Sequence, residues 1–158
     1  MDGLPIVTGK ENPFLHEKTR RVAVPLTQEV QDLIPVMFQS LHAAHGIGLA
    51  APQIGSPLRL AVIDIEGKRT VLINPKITSF SREKILFEEG CLSIPGEYFL
   101  IERSERITVR YEDEHGQEMK QRASGLFAIV IQHEVDHLDG VLIFDRFKAQ
   151  KKNKRYAL

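Results

Sequence analysis

A chain of 158 residues, 42% of them hydrophobic, is the size of one ordinary domain, and at that length folding buries about two thirds of the surface the unfolded chain exposes. Lys plus Arg and Asp plus Glu both number 21, which excludes a net field toward DNA or anionic membrane and leaves any charged partner to be met locally. The single cysteine, Cys91, excludes an intramolecular disulfide framework, and with no signal-peptide pattern and no stretch approaching a membrane span the reading is a soluble cytoplasmic protein.

No repeat, low-complexity tract or linker divides the chain, so residues 1–158 are read as one domain. Residues 5–25 alternate short apolar and charged pieces and suit a wrapping N-terminal segment. After Thr27, an N-cap residue, Val30, Ile34, Met37, Phe38 and Leu41 recur at spacings of three and four, one apolar face of a helix ending near Gly46. Pro35 within it predicts a kink, or a start nearer Asp32. The period then changes: Leu58 to Asp64, Thr70 to Ile73 and Ile107 to Tyr111 read as antiparallel strands, and Asp113-Glu114-His115-Gly116 as a turn to a returning strand. Leu126 to Leu138, opened by Ser124-Gly125, is apolar almost all round and predicts a helix buried on most sides. The fold class expected is α+β: a single domain with antiparallel strands around a central buried helix.

That helix carries His133-Glu134-Val135-Asp136-His137, a His-Glu-x-x-His pattern. Positions i and i+4 share a helix face with Cβ atoms roughly 5 to 6 Å apart, so both imidazoles can reach one metal about 2.1 Å from each nitrogen. Glu134 lies about 100° further round the axis, outside the ligand set but near a water that the metal activates, where it can act as general base. Two histidines and a glutamate on a solvated face are the plain alternative. The apolar neighbours Leu126, Ile129, Val130, Ile131 and Leu138 argue against it, because polar groups without partners are costly to bury.

A catalytic site usually needs a third protein ligand. No Glu or further His follows His137, and a metzincin pattern fails at Ile143, where its last histidine belongs. Asp139 and Asp145 remain formal candidates, although Asp139 is about 200° round a continuing helix from His137. Cys91 is the better donor, since Gly90 before it and Pro95 after it mark a loop or strand end whose backbone can approach another group closely. A thiolate with two imidazoles suits zinc, iron or cobalt and disfavours magnesium and calcium. A purely structural site would usually be closed by four protein ligands, and only three good candidates exist.

Gly46-Ile47-Gly48-Leu49-Ala50-Ala51-Pro52-Gln53 reads plainly as a helix C-cap and a tight crossing under the core, with no Gly-Lys-Ser/Thr to make a phosphate loop. Gln53, polar at the end of an apolar run, is its hint of function, because an amide can donate to a developing oxyanion.

Together, Gly46 to Gln53, Glu89-Gly90-Cys91-Leu92-Ser93 and Gln132 to His137 resemble the three signature motifs of the peptide deformylases, in order and separation, within a likeness running from about Val7 to Arg146. The resemblance implies a hydrolase that removes the formyl group from the N-terminal formyl-methionine of nascent polypeptides. It implies Cys91, His133 and His137 as ligands of one divalent metal, commonly ferrous iron, with zinc, nickel or cobalt able to occupy the site. It implies Glu134 as general acid and base, Gln53 and the backbone N–H of Leu92 as oxyanion donors, and the backbones of Ile47 and Gly48 as the place where the substrate main chain binds by strand addition. On the metal helix Leu126, Ile129 and Val130 precede His133 by seven, four and three residues and share its face, so with Phe87 they are expected to wall an apolar pocket for the methionine side chain.

Where many bacterial members continue into a long C-terminal helix, about a dozen residues follow Asp145 here. Arg146, Lys148, Lys151, Lys152, Lys154 and Arg155 place six positive charges in the last thirteen residues, expected to form a short basic tail from about Lys148. A frayed end and a weak contact with ribosomal RNA phosphate are the two readings of it.

Overall fold

The computed structural model describes residues 3–156, with side chains to residue 153. Helix α1, Gln28–Ala43, starts where Thr27 predicts, its hydroxyl accepting from the Val30 amide at 3.3 Å. The later start near Asp32 is therefore not taken, and Pro35 lies inside the helix. The helix closes with the Gly46 amide donating to the Leu41 carbonyl, so the glycine lies just past the end rather than in it.

Strands β1 (Gly48–Ala50), β2 (Leu60–Ile65), β3 (Lys68–Phe80), β6 (Arg106–Glu112) and β7 (Glu118–Ser124) form one antiparallel sheet in the order β1-β2-β3-β6-β7. The β2–β3 turn needs left-handed backbone at both Glu66 and Gly67, with φ of 52° and 83°. The Asp113 carboxylate ties the β6–β7 turn by accepting from the His115 and Gln117 amides. Strands β4 (Lys84–Cys91) and β5 (Ile94–Ser104) form a separate two-stranded hairpin.

The central strands are buried on both faces. Leu60 and Val62 of β2 point to α1, packing with Met37, Phe38 and Leu41, whereas Ala61 and Ile63 point to helix α2 (Gly125–Leu138), packing with Ala128, Ile131 and Leu138. This sandwiched position explains why β2 reads as a continuous apolar run instead of an alternating one. Helix α2 is thus the predicted central helix, with ten of its fourteen residues buried.

Helix α3, Ile143–Tyr156, takes in the segment read from sequence as a tail. Phe144 and Phe147 stack on Phe99 of β5 with ring centroids 5.7 and 4.9 Å away, and Gln150 bonds the backbone of Leu100 and Glu102. The apolar residues that anchor it are sparse among lysines, so composition masks a helix that tertiary contacts hold. Lys154 and Arg155 lie outside the residues whose side chains are described. Among the described residues no helix is long and apolar enough to cross a membrane.

Candidate metal centre

Cys91 ends β4, where the β4–β5 register shifts between Gly90 and Cys91, and this irregularity turns the thiol toward α2. Its Sγ lies 3.2 Å from His137 Nε2, and the ligand atoms of Cys91, His133 and His137 all lie within 4.8 Å of one another. The structure therefore brings together the three donors proposed from sequence. Asp139 instead pairs with Arg59 at 2.7 Å, and Asp145 accepts from the Leu142 amide.

Burial by itself pushes the Cys91 thiol up, but the charge of His137 and hydrogen bonds from both imidazoles outweigh it and hold the group well below the usual thiol range. His133 Nδ1 meets Glu89 Oε1 at 2.8 Å, which leaves Nε2 as the ring's free donor for a metal. Glu89 is buried, which raises its pKa, yet hydrogen bonds from Arg103 and His133 bring it down to about 2. A thiolate, an imidazole with its tautomer fixed by a carboxylate, and a second buried imidazole are a donor set that fits a borderline or soft divalent ion.

Glu134 is 2% exposed, and its Oε2 is buried without a hydrogen-bond partner. Burial pushes its pKa up, only partly offset by the neighbouring imidazoles of His133 and His137. Gly48 packs directly on it: a Cβ there would fall 2.8 Å from Glu134 Oε1 and 2.9 Å from Val130 Cγ1, so only glycine lets β1 come this close. Gln53, 1% exposed, is fixed by accepting from the Ala50 amide at 2.9 Å, and its Nε2 is aimed at Ser93 Oγ (3.1 Å) and toward Cys91 Sγ (3.8 Å). The N-terminal segment clamps both loops, as Val7 donates to the Gln53 carbonyl and Gly9 to that of Ser93. Leu92 follows Cys91 and packs against Gly46.

Ile47, Gly48, Phe87, Leu126, Ile129 and Val130 all line one cavity of about 160 Å³ that reaches His133 and Glu134. Glu89 and Gly90 line it too, and the sequence gives Glu89 no stated role. Glu89 had a signal, since it alternates with Cys91 on β4 and a metal-binding histidine usually donates its other nitrogen to a carboxylate. Gln132, within the third motif, holds the helix in place by accepting from the Ser104 amide and donating to the Ser104 carbonyl.

A buried His-Glu-x-x-His helix, a cysteine from a strand end and an apolar pocket beside an edge strand define a metal-dependent hydrolase. The sequence profile of the family "Polypeptide deformylase" matches residues 4–153. A peptide deformylase of Picosynechococcus is 43% identical over 155 residues, covering 91% of this chain and 82% of the relative. Among solved structures, a peptide deformylase from Synechococcus elongatus in complex with actinonin superposes with a TM-score of 0.88 at 43% identity, covering 93% of this chain and 80% of that one. A Met-Ala-Ser-bound class I type b peptide deformylase from Acinetobacter baumannii gives 0.87 at 31% identity, covering 92% and 99%. The chain belongs to the polypeptide deformylase family, metalloenzymes that hydrolyse the formyl group from the N-terminal formyl-methionine of nascent polypeptides.

Proposed function

We propose that Cys91, His133 and His137 hold one divalent ion, ferrous iron in the working enzyme with zinc, nickel or cobalt able to replace it, and that Glu134 moves the proton of the reaction. The observation that carries this reading is the convergence of one sulfur and two imidazoles within 4.8 Å beside a buried carboxylate that has an unpartnered oxygen. When bound, the metal supplies Lewis-acid chemistry, polarising the formyl carbonyl and making water a nucleophile at neutral pH.

The remaining steps belong to the chain. Among the described residues no strand pairs with the outer side of β1, which supports binding of an extended peptide's main chain along Ile47 and Gly48. The pocket of Phe87, Leu126, Ile129 and Val130 receives the methionine side chain. The Acinetobacter relative with Met-Ala-Ser bound supports that placement, since its tripeptide begins with methionine. Gln53 Nε2 and the Leu92 amide donate to the formyl oxygen as it becomes an oxyanion, and they gain most in the transition state. Glu134 takes a proton from the attacking water and delivers it to the departing amine, so that formate and a free N-terminus leave.

The test compares formate release from formyl-methionyl and formyl-alanyl peptides, with protein purified without oxygen and its metal measured. Val130→Phe fills part of the 160 Å³ cavity. It is expected to cut the rate on the methionyl peptide by at least about 10- to 200-fold, the range that a single methylene commands in an apolar pocket, with metal content unchanged. An unaltered preference between the two peptides would place the methionine pocket elsewhere.

We also propose that α3 gives the enzyme a contact with ribosomal RNA phosphate in the cytoplasm, where nascent chains emerge. Lys148, Lys151 and Lys152 share this helix, with Lys148 and Lys151 lying over Phe144 and Phe147. Because Gln150 helps dock α3, charge reversal is a cleaner probe than truncation. The triple Lys→Glu variant is expected to lose cosedimentation with ribosomes at low salt and to keep its turnover on short peptides. Equal ribosome binding by both proteins would leave the lysines as a solvated helix face.

A further inference from the structure

His133 is the inner end of an unbroken chain of charged hydrogen bonds that runs away from the metal and ends on α3. Glu89 receives His133 Nδ1 and is gripped by Arg103, whose Nε and Nη2 reach its two oxygens at 2.7 and 2.9 Å. The third nitrogen of Arg103 reaches Asp136 Oδ2 at 2.6 Å. Arg146 then binds the same carboxylate through both oxygens, Nε at 3.0 Å and Nη2 at 2.7 Å. The signs alternate, and of these five hydrogen-bonded residues only Arg146 has a half-exposed side chain.

We propose that Arg146 is a positioning residue for His133: by neutralising Asp136 it leaves Arg103 free to hold Glu89 where Glu89 fixes the imidazole. The inference rests on the reading of His133 as a metal ligand. Arg103 is buried and serves two carboxylates, and a buried carboxylate without enough positive partners is strongly unfavourable. Without Arg146, Asp136 would depend on Arg103 alone. It would also face a cleft of about 540 Å³ on the side of α2 away from the methionine pocket, through which water could reach the pair. Arg103 then shifts its grip toward Asp136, Glu89 loosens, and the His133 ring loses the orientation and tautomer that ligation needs. A bidentate fork does this, and a lysine reproduces the charge but only one point of contact.

The test measures zinc affinity by competition with a chromophoric chelator, together with the His133 Nδ1–H resonance of the zinc-loaded protein by NMR. Removing the direct carboxylate partner of a metal-binding histidine typically costs 10- to 100-fold in affinity, so a group acting through two intermediates is expected to cost less, about three- to tenfold for Arg146→Ala. The resonance should exchange faster with water, and Arg146→Lys should recover part of both effects. Gln150→Ala, which loosens α3 from β5 without touching the charged chain, should move neither. Should Arg146→Ala not fold, Arg146→Gln carries the same expectation. Unchanged affinity and resonance, or equal changes in Gln150→Ala, would overturn the proposal. His133→Ala separates the two readings. If it keeps its zinc, the ligand assignment falls and this inference with it; if it loses zinc while Arg146→Ala is unaffected, only the positioning role falls.

Discussion

Glu134→Gln is expected to keep its metal and to lose turnover by about 10² to 10⁴, the contribution typical of a positioned general acid and base. The substitution preserves shape, which matters because Gly48 packs onto this carboxylate so closely that a Cβ at residue 48 would fall 2.8 Å from its oxygen. An amide in the same space cannot take a proton from water and pass it to the leaving amine. Its buried oxygen without a partner, Oε2, is committed to no other protein group. Burial also raises the pKa of Glu134, which makes it a stronger base than an exposed glutamate and so better matched to proton transfer near neutrality. Stability should not fall, since the change removes an unpaired buried carboxylate rather than a contact. Metal analysis, a melting curve and formate release on one preparation check all three expectations. Near-normal turnover would take Glu134 out of the mechanism.

How much of this was legible in the sequence depended on whether the information was local. The i, i+4 spacing of His133 and His137 and the i+3, i+4 and i+7 relations of Val130, Ile129 and Leu126 are properties of one helix, and all these residues meet at the cavity and the donor cluster. Cys91 could be reasoned to the same point because two buried imidazoles lacked a donor. The β4–β5 hairpin went unread as strands: its outward residues, among them Leu86, Tyr98 and Leu100, are apolar but exposed, which blurs the alternation a half-buried strand should show. The chain from Glu89 through Arg103 and Asp136 to Arg146 joins β4, β5, α2 and α3, and no spacing along the sequence announces it. The basic composition of residues 148–156 hid α3 because its anchors, Phe144, Phe147 and Gln150, act through β5. Local periodicity placed the two histidines, whereas the charged partners beside His133 came from tertiary pairing.

Cys91→Ser is expected to weaken metal binding by more than about 100-fold, beyond the range seen when only an outer partner of a ligand is removed. The wild-type thiol is drawn toward the thiolate, against the penalty of burial, by the imidazoles of His137 and His133. A serine hydroxyl in the same place stays protonated near neutrality and offers a hard, neutral oxygen where a borderline or soft ion had a charged sulfur. The fold itself should persist, because Cys91 contributes little apolar surface beside Ile94, Ile101 and Leu142 and the β4–β5 ladder is held by backbone bonds. What should disappear is the stabilisation that metal binding adds to the native state, which grows with the logarithm of free metal over its dissociation constant. Melting temperature should therefore drop on adding chelator to the wild type and stay nearly constant for Cys91→Ser, whose starting value should match the chelated wild type. Dialysis against chelator followed by metal analysis gives the second reading. A variant that retains one equivalent of metal through that dialysis, or whose melting temperature still falls with chelator, would show that the two histidines find their third donor elsewhere.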